Sequence, residues 1–74
     1  MFMKQNSKSI IASNVKKLRQ QSNLTREKLS LNLEFENSYI SKLENQRINI
    51  TIDRLDKIAD YFNVKTFELL IYRD

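Results

Sequence analysis

Apolar residues recur along this chain at helical spacing, in five short runs. Over residues 9–22, Ile11, Val15, Leu18 and Ser22 fall at i, i+4, i+7 and i+11, while Lys16, Lys17, Arg19 and Gln20 take the other side. That pattern predicts an amphipathic helix with a basic face. Asn23 follows as a left-handed cap, because asparagine tolerates positive φ better than other non-glycine residues. Thr25 then serves as an N-cap, Glu27 stands where the helix dipole favours an acid, and Leu29 and Leu33 form an i, i+4 pair, giving a second helix of about two turns. After Glu34-Phe35-Glu36 the period restarts with Tyr39, Ile40 and Leu43, leaving Asn37, Ser38, Ser41 and Lys42 on a polar side with little charge.

The run "RINITI" alternates apolar and polar at Ile48, Ile50 and Ile52. Period alone allows a short strand, and a connecting loop is the preferred reading. Thr51 caps a fourth helix with Asp53 in its first turn and Ile52, Leu55, Ile58, Ala59 and Phe62 along one stripe. Asn63-Val64 makes a turn, and residues 66–72 give a last short helix with Phe67, Leu70 and Ile71. Phe62 and Leu70 are assigned to the interior of the domain. Five helices with brief connections imply one all-α domain over residues 9–74, preceded by a flexible arm over residues 1–8 that carries Lys4 and Lys8.

Composition narrows the chemistry. With Gly 0 and Pro 0 in 74 residues, helix ends must be made by other residue types. His 0 and Cys 0 remove the imidazole base, the thiolate nucleophile and the usual zinc ligands, so no metal or cofactor is expected and enzyme readings start poor. Carboxylates such as Asp53 and Asp56 sit as on a solvated helix surface rather than in a cleft. No stretch approaches the roughly 18 apolar residues of a membrane span, and "MFMKQNSKS" has no apolar core before a cleavage site, so the expectation is a cytoplasmic protein without a membrane partner. A single small domain buries only about 60–65% of its unfolded surface, so a partner subunit would add stability. The net charge of +4 fits an anionic partner, and its distribution is uneven: residues 1–33 carry seven basic side chains against Glu27 alone, while residues 34–74 carry six basic and eight acidic ones.

The stretch "LTREKLSLNLEFENSYISKLENQRINITIDRLDKIADYFNVKTFELL" resembles the Cro/C1-type helix-turn-helix family of bacterial and phage regulators. Leu24-Thr25 opening the second helix, Tyr39-Ile40-Ser41 with Leu43-Glu44-Asn45 in the third, and Leu55 with Lys57-Ile58-Ala59 in the fourth carry the resemblance, which covers residues 10–70. Tyr39, Ile40, Ser41, Glu44, Asn49, Ile50, Thr51 and Ile52 are, within that family, similar to controller proteins of restriction-modification systems. The resemblance implies a compact five-helix, lambda-repressor-like fold and a sequence-specific regulator that binds a palindromic double-stranded DNA operator as a homodimer. No small-molecule ligand is expected. The chain departs from the family pattern at Glu34 and Gln46, where glycine is common, and at Arg26, where glutamine is frequent.

With its third helix in the major groove, such a protein would read bases with Glu36, Asn37, Ser38, Ser41 and Lys42. Asn37 suits adenine N6 and N7, the serines donate or accept, and Lys42 reaches guanine or a phosphate. Glu36 could accept from cytosine N4 or serve as an N-terminal helix acid. Arg26, Tyr39, Arg47 and Lys17 are the phosphate-binding candidates. Tyr39 has a second reading as a core aromatic with an exposed tip, and Lys16, Lys17 and Arg19 have one as a solvated helix face. Ile48, Ile50, Phe67, Ile71 and Tyr72 exceed the needs of a small core and mark the expected dimer patch. The alternatives are a small antitoxin or a helical adaptor that binds protein with the same fold.

Overall fold

Helix starts in this chain are made by oxygen-bearing side chains. A computed structural model describes residues 6–72. Asn6 accepts from Ser9 N–H at 3.1 Å to open α1 (Ser7–Gln21). Thr25 accepts from Lys28 N–H at 3.0 Å to open α2 (Arg26–Asn32), and Thr51 from Arg54 N–H at 3.2 Å to open α4 (Ile52–Tyr61). Each satisfies a backbone donor that has no partner within its helix. Between α2 and α4 lies the six-residue α3 (Tyr39–Glu44). The last element, η1 (Thr66–Leu70), is a 3₁₀ helix. The described residues are all-α without a strand, and residues 47–51 of the "RINITI" run form the expected loop, with Ile52 already opening α4.

The architecture thus has four α-helices and a 3₁₀ helix, not five α-helices. The difference changes which side chains are buried. A 3₁₀ helix repeats every three residues, so Thr66 and Leu69 share one face and Phe67 and Leu70 the other. Leu69 is buried, while Phe67 and Leu70 are exposed. Leu70 is therefore not the interior residue expected of it. Ile52 also leaves the expected core stripe: it is 70% exposed, because side chains lean toward a helix N-terminus and a first-turn residue overhangs the end. The first helix begins two residues earlier than the period suggested. Ser7 and Lys8 form its first turn, and the rest of the expected arm, residues 1–5, lies outside the described residues.

All four α-helices end alike. The residue after each cap takes a left-handed conformation, at Asn23 (φ 56°), Glu34 (φ 61°), Gln46 (φ 60°) and Asn63 (φ 56°). Two backbone bonds close each end. After α2, Phe35 N–H donates to the Ser30 carbonyl at 2.9 Å and Glu34 N–H to that of Leu31 at 3.0 Å; after α3, Arg47 N–H donates to Lys42 at 2.9 Å and Gln46 N–H to Leu43 at 3.0 Å. Leu24 with Asn23, and Val64 with Asn63, repeat the arrangement after α1 and α4. This double closure satisfies carbonyls that would otherwise be orphaned and reverses the chain abruptly. Glycine normally takes the left-handed position; here asparagine does so twice, and Glu34 and Gln46 do so at a cost of about 1–2 kcal/mol each.

Val15, Leu29, Leu33, Ile40, Ile58 and Leu69 fill the centre, joined by Ile11, Phe35, Leu43, Leu55 and Ala59. Helix α3 packs against α1 and α2, while η1 packs against α1 and α4. Polar groups inside this core are all used. The Asn14 amide donates to the carbonyls of Leu69 and Ile71, each at 2.9 Å, and fastens η1 to α1. Arg19, expected on a solvated face, is buried: its Nε reaches Glu44 Oε2 at 2.7 Å, Nη2 reaches Oε1 at 3.2 Å, and Nη1 donates to the Leu24 carbonyl at 2.7 Å.

Replacing Glu34 or Gln46 by glycine removes the left-handed strain at no loss of a buried contact. Each substitution is expected to raise stability by up to about 1 kcal/mol in urea denaturation. A loss at either site would mean that the side chain contributes more than its backbone conformation costs.

Candidate nucleic-acid interface

Six residues of helix do not hold a shape alone, so the placement of α3 depends on what grips it. At its start the buried Ser30 hydroxyl donates to the Arg26 carbonyl at 2.9 Å and accepts from Ile40 N–H at 3.1 Å, tying α3 to α2. At its far end Glu44 is held by Arg19. Tyr39, Ile40 and Leu43 face the core. That orientation leaves Asn37, Ser38, Lys42 and Asn45 exposed and Ser41 half-buried on the opposite side. No hydrogen bond among the described residues engages the side chains of Asn37, Ser38, Ser41 or Lys42. Arg26, in the first turn of α2, and Arg47, immediately after α3, are exposed as well.

Glu36 lies directly ahead of these residues with its carboxylate already engaged. Arg54 of α4 holds it with both arms, Nη1 to Oε1 at 2.8 Å and Nη2 to Oε2 at 3.2 Å. The guanidinium also stacks 4.5 Å from the ring centroids of both Phe35 and Tyr39, which pack on each other at 4.8 Å. The Arg54 hydrogen bonds, followed by Glu36's own backbone N–H, bring the Glu36 carboxyl down to about 2. Burial is the main influence raising the Tyr39 phenol above its ordinary value, against a smaller lowering by Arg54. Tyr39 is thus a core aromatic, neutral at physiological pH. Glu34 stands near Lys57 at 4.0 Å, both exposed.

The remaining candidates separate. Lys17 lines the groove between α1 and η1 with Asn14, Leu18, Gln21, Val64, Glu68 and Leu69 and is not brought to the α3 surface. Ile48 and Ile50 are half-buried against the core, whereas Phe67, Ile71 and Tyr72 are exposed together with Leu70 in the η1 segment. Reasoning from sequence passed over Ser30 and Arg54. Ser30 carried a signal, a small polar residue within the buried stripe of Leu29 and Leu33; Arg54, 18 positions from Glu36, carried none. Among the described residues no three acidic side chains gather as metal ligands would, and no helix is long and apolar enough to cross a membrane.

Residues 15–69, which include every element that grips α3, match the helix-turn-helix family. The chain belongs to that family. Three solved structures resemble it over 90% or more of its length. A hypothetical transcription factor, NHTF, from Neisseria superposes with a TM-score of 0.87 at 24% identity, over 90% of this chain and 77% of that one. The clp gene regulator ClgR from Corynebacterium glutamicum gives 0.80 at 15% identity, over 92% and 72%. The wild-type restriction-modification controller protein C.Esp1396I gives 0.77 at 27% identity, over 96% of this chain and 100% of that one. No curated protein matches the sequence. In helix-turn-helix terms, α2 and α3 are the paired helices, and Glu34 stands at the left-handed position of the turn between them.

The Glu36–Arg54 pair gives a titration that can be measured directly. Because the folded pKa lies below the ordinary value of 4.5, the pair's contribution to stability is present above about pH 4.5 and is lost as pH falls through about 2. In a carbon-detected NMR titration the Glu36 carboxyl is expected to show a midpoint near 2. In Arg54→Met the midpoint should return toward 4.5; an unshifted midpoint in both proteins would remove the pair from solution.

Proposed function

We propose that this protein is a sequence-specific double-stranded DNA-binding transcriptional regulator, acting as a homodimer on a palindromic operator, and that it serves as the controller protein of a restriction-modification system. The observation that carries the DNA-binding reading is the solvent face of α3: amide, hydroxyl and amine groups left without protein partners, on a helix gripped at both ends. The full-length likeness to a controller protein supports the narrower role.

Asn37, Ser38, Ser41 and Lys42 read base edges in this proposal, with the Asn37 amide suited to adenine and Lys42 to guanine or a neighbouring phosphate. Arg26 and Arg47 bind phosphates on either side, fixing register without reading sequence. The neutral Tyr39 hydroxyl donates to a third. Glu36, engaged by Arg54, borders the readers instead of accepting from cytosine. One such helix spans too few base pairs to select a site in a genome, so two copies on a two-fold operator supply the missing discrimination. The apolar strip of Phe67, Leu70, Ile71 and Tyr72 offers the second copy its contact.

Selection from a random duplex pool is the direct test. An enriched palindrome is expected, bound far more tightly than a scrambled duplex and with affinity falling steeply in salt. Asn37→Ala should cost about 1–3 kcal/mol on the enriched site and relax selection at one base pair. Arg47→Ala should weaken every duplex alike and flatten the salt dependence by about one phosphate contact. Absence of any enriched duplex would favour the antitoxin or adaptor reading.

Ile71→Asp places a charge in the apolar strip. By analytical ultracentrifugation it should shift the protein to monomer and weaken binding to the palindrome. An unchanged dimer mass would move the interface elsewhere.

A further inference from the structure

The carboxylate beside the base-reading groups needs an explanation. Glu36 directly precedes Asn37 and Ser38, its side chain is 66% exposed, and the Lys42 ammonium, one turn into α3, adds a minor lowering of its carboxyl. A lone carboxylate there would repel the phosphates of any duplex. A lone arginine there would attract the phosphates of any duplex and release counterions whatever the sequence. The chain provides both, locked together: Arg54 spends two of its donors on Glu36 while its guanidinium lies against the packed Phe35 and Tyr39 rings. Arg54 thus stands beside the proposed readers with two of its donors already engaged.

We propose that the Glu36–Arg54 pair sets sequence discrimination, by keeping Arg54 off the phosphates and fixing the turn that carries Asn37 and Ser38. The inference rests on the DNA-binding reading above. Discrimination is the ratio of specific to non-specific affinity, and non-specific affinity is almost wholly electrostatic. Withholding one cation lowers affinity for random sequence. Fixing the turn preserves the specific complex, whose base contacts depend on placement, while the random complex gains nothing from it. Glu36 and Arg54 are positioning residues here; neither reads a base.

The test titrates two labelled duplexes, the one enriched by selection and one of random sequence, at two salt concentrations. The proteins are the full chain and its variants Glu36→Gln, Arg54→Met and the double substitution. Glu36→Gln frees Arg54 and should tighten the random duplex by about 3- to 10-fold, steepening its salt slope by about 0.9, the equivalent of one phosphate. The enriched duplex should gain less, so the affinity ratio falls. Arg54→Met leaves a bare carboxylate and should weaken the random duplex, and the double variant should return it to the parent value. A merely structural pair would instead weaken binding in both single variants and leave the salt slope alone. Should Arg54→Met fail to fold, Glu36→Lys at the exposed position gives the same answer: a gain on random duplex larger than that of Glu36→Gln supports the proposal. Unchanged random-duplex affinity and slope in Glu36→Gln and Glu36→Lys overturn it. A parent chain that binds no duplex at any salt is a different result, which removes the DNA-binding reading itself.

Discussion

Arg19 holds three parts of the chain at once: its own helix, the Leu24 carbonyl at the entrance to α2, and the Glu44 carboxylate near the end of α3. The bond to Leu24 is reciprocated by the backbone, since Leu24 N–H donates to the Arg19 carbonyl at 3.1 Å. Burying such a pair is expensive in desolvation, and replacing it with apolar groups is often neutral for stability, whereas removing one partner commonly costs about 3–5 kcal/mol. Its value therefore lies in geometry. The guanidinium fork fits one arrangement of α1, the following turn and α3. Ser30 does the same at the opposite end of α3 with a neutral hydroxyl. A helix too short to be stable in isolation is thus specified at both termini, and the polar side chains between them inherit that precision.

Backbone strain gathers around the same element. Of the four left-handed helix ends, those closing α1 and α4 use asparagine, which tolerates the conformation, while the two that bracket α3 use Glu34 and Gln46, which do not. A chain without glycine therefore carries its two costly reversals on either side of the proposed reading helix, Glu34 in the turn that leads to it and Gln46 two residues past its end. A small domain has stability of only a few kcal/mol to draw on. The strain is tolerated because each reversal closes two backbone hydrogen bonds and seats a flanking residue: Phe35 enters the core directly after Glu34, and the Tyr39 ring covers it.

Much of this was legible in the sequence, where local chemistry dictates local structure. Thr25 and Thr51 as caps, Asn23 as a left-handed end, the helical period through Leu55, Ile58 and Ala59, and the polar face of the third helix all follow from rules within a few residues. The misreadings have a common cause. Arg19 sits four residues after Val15, on the stripe that turned out to be buried, but its charge argued for solvent until Glu44, 25 positions away, was seen beside it. Arg54 and Glu36 likewise meet only through the fold. The choice between an α-helix and a 3₁₀ helix at Thr66–Leu70 is settled by tertiary contacts, among them the Asn14 amide on the Leu69 and Ile71 carbonyls. That choice exchanged Leu70 for Leu69 in the core and exposed Phe67 and Leu70 side by side.

Charge shows the same distinction between counting and placement. The first half of the sequence carries most of the positive excess, which by itself suggests a broad basic surface. In the fold, Arg19 is neutralised by Glu44, Lys17 lines the groove beside Glu68, and Arg54 is bound to Glu36. Arg26, Lys42 and Arg47 remain exposed on α2, on α3 and directly after it, and the counterion-release contribution scales with the number of phosphates such cations neutralise. In the proposed complex such a surface would gain affinity chiefly where uncharged donors and acceptors find matching base edges. In the proposed dimer a second copy would double both the base contacts and the small electrostatic contribution. The exposed apolar residues Phe67, Leu70, Ile71 and Tyr72 and the modest charge around α3 are therefore the two features on which the proposed dimeric, sequence-selective binding rests.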